Sequence, residues 1–186
     1  MTWTLRPATA DDAARIAEIY AVYVRETIIS FELEPPGADE MRRRLVTGME
    51  RFPWLVAVDG SGEVAGYAYA GEHRSRPAYQ WSVDVSIYLD GPAQGRGLGR
   101  GLYAALFEIL AAQGYVTAFA GIALPNPASV GVHEALGFRP VGVYRDVGFK
   151  AGAWHDVGWW QRALIHPPPL TPETPIIWPD LAGQGR

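Results

Sequence analysis

A glycine-rich segment in the middle of the chain constrains the fold more than any other feature. Glycine stands at every second position from Gly95 to Gly101, and the residues between include Arg96 and Arg100. Glycine lets the backbone approach a ligand closely, and a helix that begins here would offer free N–H groups and a partial positive charge. The alternative is an ordinary flexible turn, but the two arginines favour a binding site for phosphate or pyrophosphate.

The patterns on either side place this segment between a strand and a helix. Upstream, residues 79–89 are rich in β-branched and aromatic side chains and end at a strand-breaking run, residues 90–92. Downstream, leucine and isoleucine recur at helical spacing from Leu98 to Leu110, and the pattern stops near Gly114. An anion bound by the glycines would therefore lie at the amino terminus of a helix.

Spacing excludes two common phosphate-binding motifs. The P-loop needs a lysine after its last glycine, and no lysine follows any of these glycines. The dinucleotide fingerprint needs the pattern GxGxxG, but Arg100 stands three residues after Gly97 and Leu102 three residues after Gly99. A phosphate site of another kind is therefore expected.

The rest of the chain predicts one domain that mixes helices and strands. A capping box at Thr9 and Asp12 opens a first amphipathic helix. A break at residues 35–37 separates it from a second helix, whose arginines at residues 42–44 we expect on the solvated face. A short helix is predicted over residues 126–136. Strands are predicted near residues 54–58, 64–70, 79–89, 116–123, 141–144 and 157–164.

Composition excludes several classes of protein. At 186 residues, with 48% hydrophobic and 19% charged residues, the chain matches a single soluble globular domain. A net charge of −4 gives no basic footprint for nucleic acid, and no apolar run approaches the roughly 20 residues that span a bilayer. Cysteine is absent, the four histidines show no paired ligand spacing, and the amino terminus lacks a signal peptide. We therefore expect a cytoplasmic protein without metal, nucleic acid or membrane partners.

The end of the chain differs from the rest in composition. Six prolines lie between residues 167 and 179. We assign residues 1–165 to the single domain and residues 166–186 to a proline-rich tail. The tail is expected to be extended and to contain no regular element.

Two motifs resemble the GNAT superfamily of acetyltransferases. The sequence QGRGLGR at residues 94–100 is similar to the family signature Q/R-x-x-G-x-G/A, and residues 126–138 resemble the family's fourth motif. Further stretches resemble the phosphinothricin acetyltransferase branch and its relatives that acetylate amino acid sulfoximines and sulfones. The sequence GxWHDVGxWQ at residues 152–161 is the most distinctive of them. The similarity spans about residues 3–165.

The resemblance implies an α/β (α+β) fold, with a mixed, mostly antiparallel twisted sheet of six to seven strands and helices on both faces. It implies an enzyme that transfers an acetyl group from acetyl-CoA by direct attack within a ternary complex. The acceptor would be the amino group of a small amino acid-like molecule of the phosphinothricin or methionine sulfoximine and sulfone type, and the relatives suggest a homodimer. The alternatives are acetylation of a peptide or protein amino terminus or another small amine, and a non-catalytic acyl-CoA-binding module.

The resemblance also implies a binding site for acetyl-CoA. The backbone of Ile87, Tyr88 and Leu89 would pair with the pantetheine arm. The pyrophosphate would be bound by Gln94, Gly95, Arg96, Gly97, Leu98, Gly99 and Arg100. The side chains beside the thiol would be Asn126, Ser129 and His133.

Three residues are candidates for the transfer itself. The backbone N–H of Tyr88 or Leu89 would stabilise the oxyanion, with Tyr88 favoured. Asp84 stands where the branch has a glutamate; since it is shorter, it would act as a base through a water, and the alternative is a structural carboxylate at a strand bulge. His133 would protonate the thiolate or hold a water, or it would be an ordinary structural histidine.

The acceptor site rests on fewer signals. Arg74 and Arg76 follow the hairpin strand where the branch has basic residues, and a guanidinium suits a carboxylate or phosphinate. The alternative for both is a solvated loop. Phe31 is expected to form a wall of the acceptor pocket or part of the core.

Overall fold

The computed structural model describes residues 3–184 of the chain and contains a seven-stranded sheet. The strands are β1 (Thr4–Pro7), β2 (Trp54–Val58), β3 (Val64–Glu72), β4 (Ser82–Leu89), β5 (Thr117–Leu124), β6 (Arg139–Lys150) and β7 (Ala153–Ala163). They lie in the order β1-β2-β3-β4-β5-β7-β6. All neighbours are antiparallel except β4 and β5, which are parallel. The mixed, mostly antiparallel sheet is confirmed, although β6 and β7 are longer than predicted.

Helices cover both faces of this sheet, as predicted. They are α1 (Ala13–Glu26), α2 (Ala38–Met49), α3 (Leu98–Gln113), α4 (Pro127–Ala135) and α5 (Trp178–Gln184). α3 packs on one face of β2, β3 and β4, while α1 and α2 pack on the other. Alternation along the strands creates the two cores: on β2, Leu55 and Ala57 pack with α3, whereas Trp54 and Val56 pack with α1 and α2.

The sheet splits between β4 and β5. Each of these strands has eight residues, but they pair only through residues 82–84 and 117–119. Beyond that point β4 stays paired with β3 up to Leu89, and β5 stays paired with β7 up to Leu124. The two strands therefore diverge, and one backbone edge of β4 faces an opening.

The carboxy-terminal segment carries a helix that its proline content did not predict. α5 begins at Trp178, and Pro179 occupies its first turn, where a missing N–H costs no hydrogen bond. Trp178 is only 7% exposed, and its amide donates to the carbonyl of Arg51 at 3.1 Å. The Gln113 side chain donates to the carbonyls of Arg51 and Ile176 at 3.1 and 2.7 Å. The expectation of no regular element in the tail was wrong, because the tail packs on the domain through Trp178.

Candidate active site

The glycine-rich segment forms the entrance to α3. Gly95 and Gly97 have φ angles of +70° and +79°, in the left-handed region that glycine adopts without steric cost. Gly97 caps the helix, and the amides of Arg100 and Gly101 donate back to its carbonyl at 3.1 and 3.3 Å. The first N–H groups of an α-helix have no partner within the helix. Together with the helix dipole, they make this end of α3 a seat for an anion.

Gln94 ties this loop to the end of β4. Its side-chain amide donates to the Tyr23 hydroxyl at 3.2 Å and to the Leu89 carbonyl at 3.4 Å. The same hydroxyl accepts from the Leu89 amide at 3.1 Å and donates to the Leu89 carbonyl. Since Tyr23 belongs to α1, these bonds join the loop, the strand end and a helix. The anion seat therefore has a defined position relative to β4.

The opening between β4 and β5 leads to α4. Ile87 and Tyr88 line it from β4, and Asn126, Ser129 and His133 line it from α4 and its N-cap. Asn126 is the N-cap of this helix, and its side-chain oxygen accepts from the Ser129 amide at 3.1 Å. The structure thus brings β4 and the motif at residues 126–138, which are far apart in the sequence, to one opening.

His133 is paired with a tyrosine that sequence reasoning missed. Its Nδ1 lies 2.7 Å from the Ser129 carbonyl, so this nitrogen carries a proton and donates it. Its Nε2 is then an acceptor and lies 3.1 Å from the hydroxyl of Tyr103 on α3. Burial lowers the pKa of His133 and raises that of Tyr103, which keeps both side chains neutral. Tyr103 stands inside the leucine stripe of α3, so the helical pattern indicated a core residue.

Alternation along β4 decides which amides face the opening. The carbonyl of Trp81 accepts a hydrogen bond on the β5 side, and the amide of Asp90 donates one on the β3 side. Since backbone groups of successive strand residues point in opposite directions, Ile87 and Leu89 face the opening and Tyr88 faces β3. This geometry corrects the preference for the Tyr88 amide. The Leu89 amide is bonded to Tyr23, so the Ile87 amide is the better placed.

Asp84 is paired with a histidine that sequence reasoning also missed. Nδ1 of His73 lies 2.6 Å from Oδ1 of Asp84, and the imidazole stacks on Phe119 with ring centroids 4.1 Å apart. Burial raises the pKa of Asp84, and the hydrogen bond to His73 opposes this shift. The alternation of side chains along β3 could have predicted this pair from the sequence. Gly71 is directly opposite Asp84, and His73 is the next residue on the same face.

The two arginines predicted to bind the acceptor are placed differently. The Arg74 guanidinium lies over the ring of Trp159, 5.6 Å from its centroid, and donates to the carbonyl of His73 at 2.7 Å. Arg76 is exposed and precedes the single helical turn Pro77–Tyr79. The structure therefore joins Arg74 to the aromatic and imidazole groups around Asp84, whereas Arg76 lies further along the loop.

The loop between α1 and α2 places Phe31 over the sheet. The ring of Phe31 fills the space above Gly148, where any Cβ atom would clash with it, and lies 6.3 Å from the ring of His155. Next to it, Glu32 accepts two hydrogen bonds from Arg44 at 2.7 and 3.1 Å, which lower the pKa of Glu32. Arg44 was expected on a solvated face, but it anchors this loop instead.

Among residues 3–184, no group of three or more histidine, aspartate or glutamate side chains is arranged to hold a metal ion. None of the helices between these residues combines the length and the apolar character needed to cross a membrane.

An anion seat at a helix start, beside a strand that leaves the sheet, agrees with the site that the resemblance to the GNAT acetyltransferases implies. Residues 5–159 match the family described as acetyltransferase (GNAT) domain. The chain belongs to this family, which uses acetyl-CoA as its acetyl donor.

The relatives narrow this assignment to a branch. The chain is 42% identical over 172 residues to phosphinothricin N-acetyltransferase of Streptomyces viridochromogenes, covering 92% of this chain and 93% of that protein. It is 35% identical over 165 residues to the L-methionine sulfoximine/L-methionine sulfone acetyltransferase of Pseudomonas aeruginosa, covering 88% and 96%. It resembles the crystal structure of a phosphinothricin acetyltransferase from Sinorhizobium meliloti in complex with AcCoA, with a TM-score of 0.90, 39% identity and 97% of both chains covered. The family and the branch predicted from the motifs are confirmed.

Replacing Gly97 with alanine should weaken acetyl-CoA binding. A Cβ at a φ of +79° is strained by about 1 to 2 kcal/mol, so the loop would turn its amides away from the ligand. We expect the Kd, measured by isothermal titration calorimetry, to rise about tenfold. Gly101→Ala is the matched control, because Gly101 lies within α3 with open space around it and its change should leave the Kd unaltered. Equal effects of both changes would contradict a role for the loop in binding.

Proposed function

We propose that this N-acetyltransferase acetylates the amino group of a small amino acid-like acceptor, of the phosphinothricin or methionine sulfoximine type. The observation that carries the proposal is the position of Asp84 relative to the split in the sheet. Val83 and Val85 point into the core under α3, so Asp84 points to the opposite face, under α1 and α2. The donor can therefore approach from the anion seat while the acceptor occupies the other side. This arrangement suits direct attack within a ternary complex.

On the donor side, Ile87, Tyr88 and Leu89 lie along the opening, as assigned from the sequence. The N–H and C=O groups of Ile87 face the opening and would pair with a pantetheine arm, whereas Tyr88 pairs with β3 and Leu89 is bonded to Tyr23. The anion seat suits a pyrophosphate through its helix N–H groups and through the arginines of the loop. Acetyl-CoA bound there supplies the thioester that the acceptor amine attacks. The proposed pyrophosphate residues are Gln94, Gly95, Arg96, Gly97, Leu98, Gly99 and Arg100, and those near the thiol are Asn126, Ser129 and His133.

Asp84 is the proposed base. A carboxylate accepts a proton only when it is ionised, and burial raises the pKa of Asp84, so it is a stronger base than an exposed aspartate. Its side chain is 35% exposed, which leaves room for a water to carry the proton from the acceptor ammonium. Because the active form is the ionised one, the rate should decrease as the pH falls through this raised pKa.

The Ile87 amide and the Tyr103 hydroxyl take the two remaining roles. Ile87 lies three residues beyond the last pair between β4 and β5, and its N–H would donate to the developing oxyanion. Tyr103 keeps its proton because burial raises its pKa, and its O–H, which donates to His133 Nε2 in the free site, would turn to the leaving thiolate and stabilise it by a hydrogen bond. His133 holds Tyr103 in place through Nε2 and acts through it.

Arg74 is the proposed anchor for the acceptor carboxylate. Its guanidinium is held near Asp84 by the ring of Trp159 and by the His73 carbonyl. A guanidinium with a defined place binds a carboxylate more strongly than a mobile one, since less side-chain freedom is lost. Phe31 would form the apolar wall opposite, and Arg76 would act from further away by charge.

The chain is also proposed to form a homodimer through β6. This strand is the edge of the sheet, and it exposes apolar side chains over its length, including Val143 at 40% and Phe149 at 58%. A long exposed apolar edge strand favours pairing with another chain. The cytoplasmic location expected from the sequence stays a prediction.

Asp84→Asn should remove most of the turnover and leave donor binding intact. The amide keeps the size of the side chain but cannot take up the proton, so we expect kcat to fall about 100-fold or more. The Kd for acetyl-CoA should not change, since Asp84 lies on the opposite face from α3. The measurement is the release of free thiol from acetyl-CoA, and an unchanged rate would remove Asp84 from the mechanism.

The same assay on the unaltered enzyme tests the proposed acceptor. We expect thiol release with phosphinothricin, methionine sulfoximine and methionine sulfone, and little with polyamines or peptides. Release with peptides alone would assign a different acceptor class. Acetyl-CoA binding without thiol release from any of these amines would indicate a non-catalytic binding module.

Arg74→Ala should raise the KM for the acceptor about tenfold and leave the KM for acetyl-CoA unchanged. The acceptor KM of Arg74→Lys should lie between those of the unaltered enzyme and of Arg74→Ala, because lysine keeps the charge and loses the planar fork. Arg25→Ala, at an exposed position on α1, is the control and should alter neither constant. Equal changes in both KM values for Arg74→Ala would exclude a specific carboxylate contact.

Val143→Lys should dissociate the proposed dimer by placing a charge on the β6 edge. Sedimentation of the unaltered protein should give twice the 20.3 kDa of one chain, and the variant should shift towards one chain. Leu170→Lys is the matched control, since Leu170 is fully exposed in the tail. A monomeric unaltered protein, or a variant that stays dimeric, would contradict the β6 interface.

A further inference from the structure

We propose that His73 is a positioning residue for the base: its Nδ1–H fixes the orientation of the Asp84 carboxylate. The inference rests on the proposed function, because it assigns a role to a neighbour of the proposed base. The site therefore uses a carboxylate–imidazole pair, rather than a single carboxylate.

The geometry of the pair is that of a strong hydrogen bond between enclosed groups. The His73 Nδ1 and Asp84 Oδ1 atoms are 2.6 Å apart, and the His73 side chain is only 10% exposed. Its ring lies flat on Phe119, with an interplanar angle of 9°, and its edge faces Trp159, 6.1 Å away between centroids. The ring has little freedom to turn. Its Nδ1–H therefore keeps one direction, towards Asp84.

Few other charges face this pair. From the same loop, Arg74 adds a positive charge near Asp84. The ring of Tyr79 lies 6.3 Å from that of His73, and Tyr69 on β3 approaches Asp84 from the neighbouring position of the sheet. The groups packed on the ring from β5 and β7, Phe119 and Trp159, carry no charge. Besides His73, the charged group that acts on the Asp84 carboxylate is therefore Arg74.

The proton balance follows from the direction of this bond. In the active state, Asp84 is ionised, and the proton on Nδ1 of His73 is donated to Oδ1. The second carboxylate oxygen, Oδ2, takes the ammonium proton through a water, and the neutral amine attacks. His73 therefore occupies Oδ1 and leaves Oδ2 directed to the water.

Two variants separate the hydrogen bond from the packing of the ring. His73→Phe keeps the stacking on Phe119 but has no donor, and we expect kcat to fall about 10- to 100-fold with the KM for acetyl-CoA unchanged. His73→Asn loses the stacking but places an amide N–H close to the position of Nδ1. It should keep kcat within about fivefold of the original value.

The decisive measurement is kcat for thiol release with the best acceptor, for the unaltered enzyme, His73→Phe, His73→Asn and His166→Asn. His166 is exposed in the tail, so its variant should keep the original kcat. An unchanged kcat for His73→Phe would overturn the inference, as would a His73→Asn variant that loses as much of kcat as His73→Phe.

A spectroscopic test does not depend on turnover. In ¹⁵N-labelled protein, the His73 Nδ1 proton should give a low-field resonance that disappears in Asp84→Asn and persists in His166→Asn. Its absence from the unaltered protein would also overturn the inference. If the resonance is present but no acceptor gives thiol release, then the proposed function fails while the hydrogen bond stands.

Discussion

The parting of β4 from β5 is the constraint on which the rest of the site depends. Backbone groups that leave a sheet need other partners, since an unpaired buried N–H or C=O costs free energy. The edge of β4 beyond Asp84 therefore offers a ladder that an extended ligand with amide groups can complete. Separate apolar cores under α3 and under α1 and α2 hold the strands on both faces. The opening is thus a property of the sheet and not of a mobile loop.

Strand alternation then divides the chemistry between the two faces. Along β4, Val83, Val85 and Ile87 face the helix that carries the anion seat, whereas Asp84 and Tyr88 face the helices on the other side. The backbone of the same strand lies between them. A donor bound along the edge of β4 and an acceptor held near Asp84 would therefore meet at the strand, without either having to cross the sheet.

The sequence predicted the parts of this site whose signals are local. The glycine segment at the start of α3 and the short helix that follows Asn126 are encoded within a few residues, and the structure has both where they were predicted. The His73–Asp84 and Tyr103–His133 pairs depend on strand register and helix packing across 11 and 30 residues. Such pairs carry no periodic signal of their own. The helix at Trp178 was missed because the prolines predicted no regular element in the tail, whereas burial of the Trp178 indole holds the tail on the domain.

The donor and acceptor sides are held by different kinds of interaction, and this difference bears on how acceptor specificity can change. The donor seat is made of backbone groups, which most side-chain substitutions leave in place. The loop of the acceptor wall depends on side chains: Tyr20 bonds Ser30 and Glu32 at 2.7 and 2.8 Å, and the buried Lys150 amine donates to the carbonyls of Val24 and Ser30 at 2.7 and 2.6 Å. Burial lowers the pKa of Lys150, so this contact already costs free energy. Substitutions there would move the wall, whereas the backbone groups of the anion seat would stay in place. The two sides meet at Tyr88, whose ring contacts both Tyr20 and Tyr23.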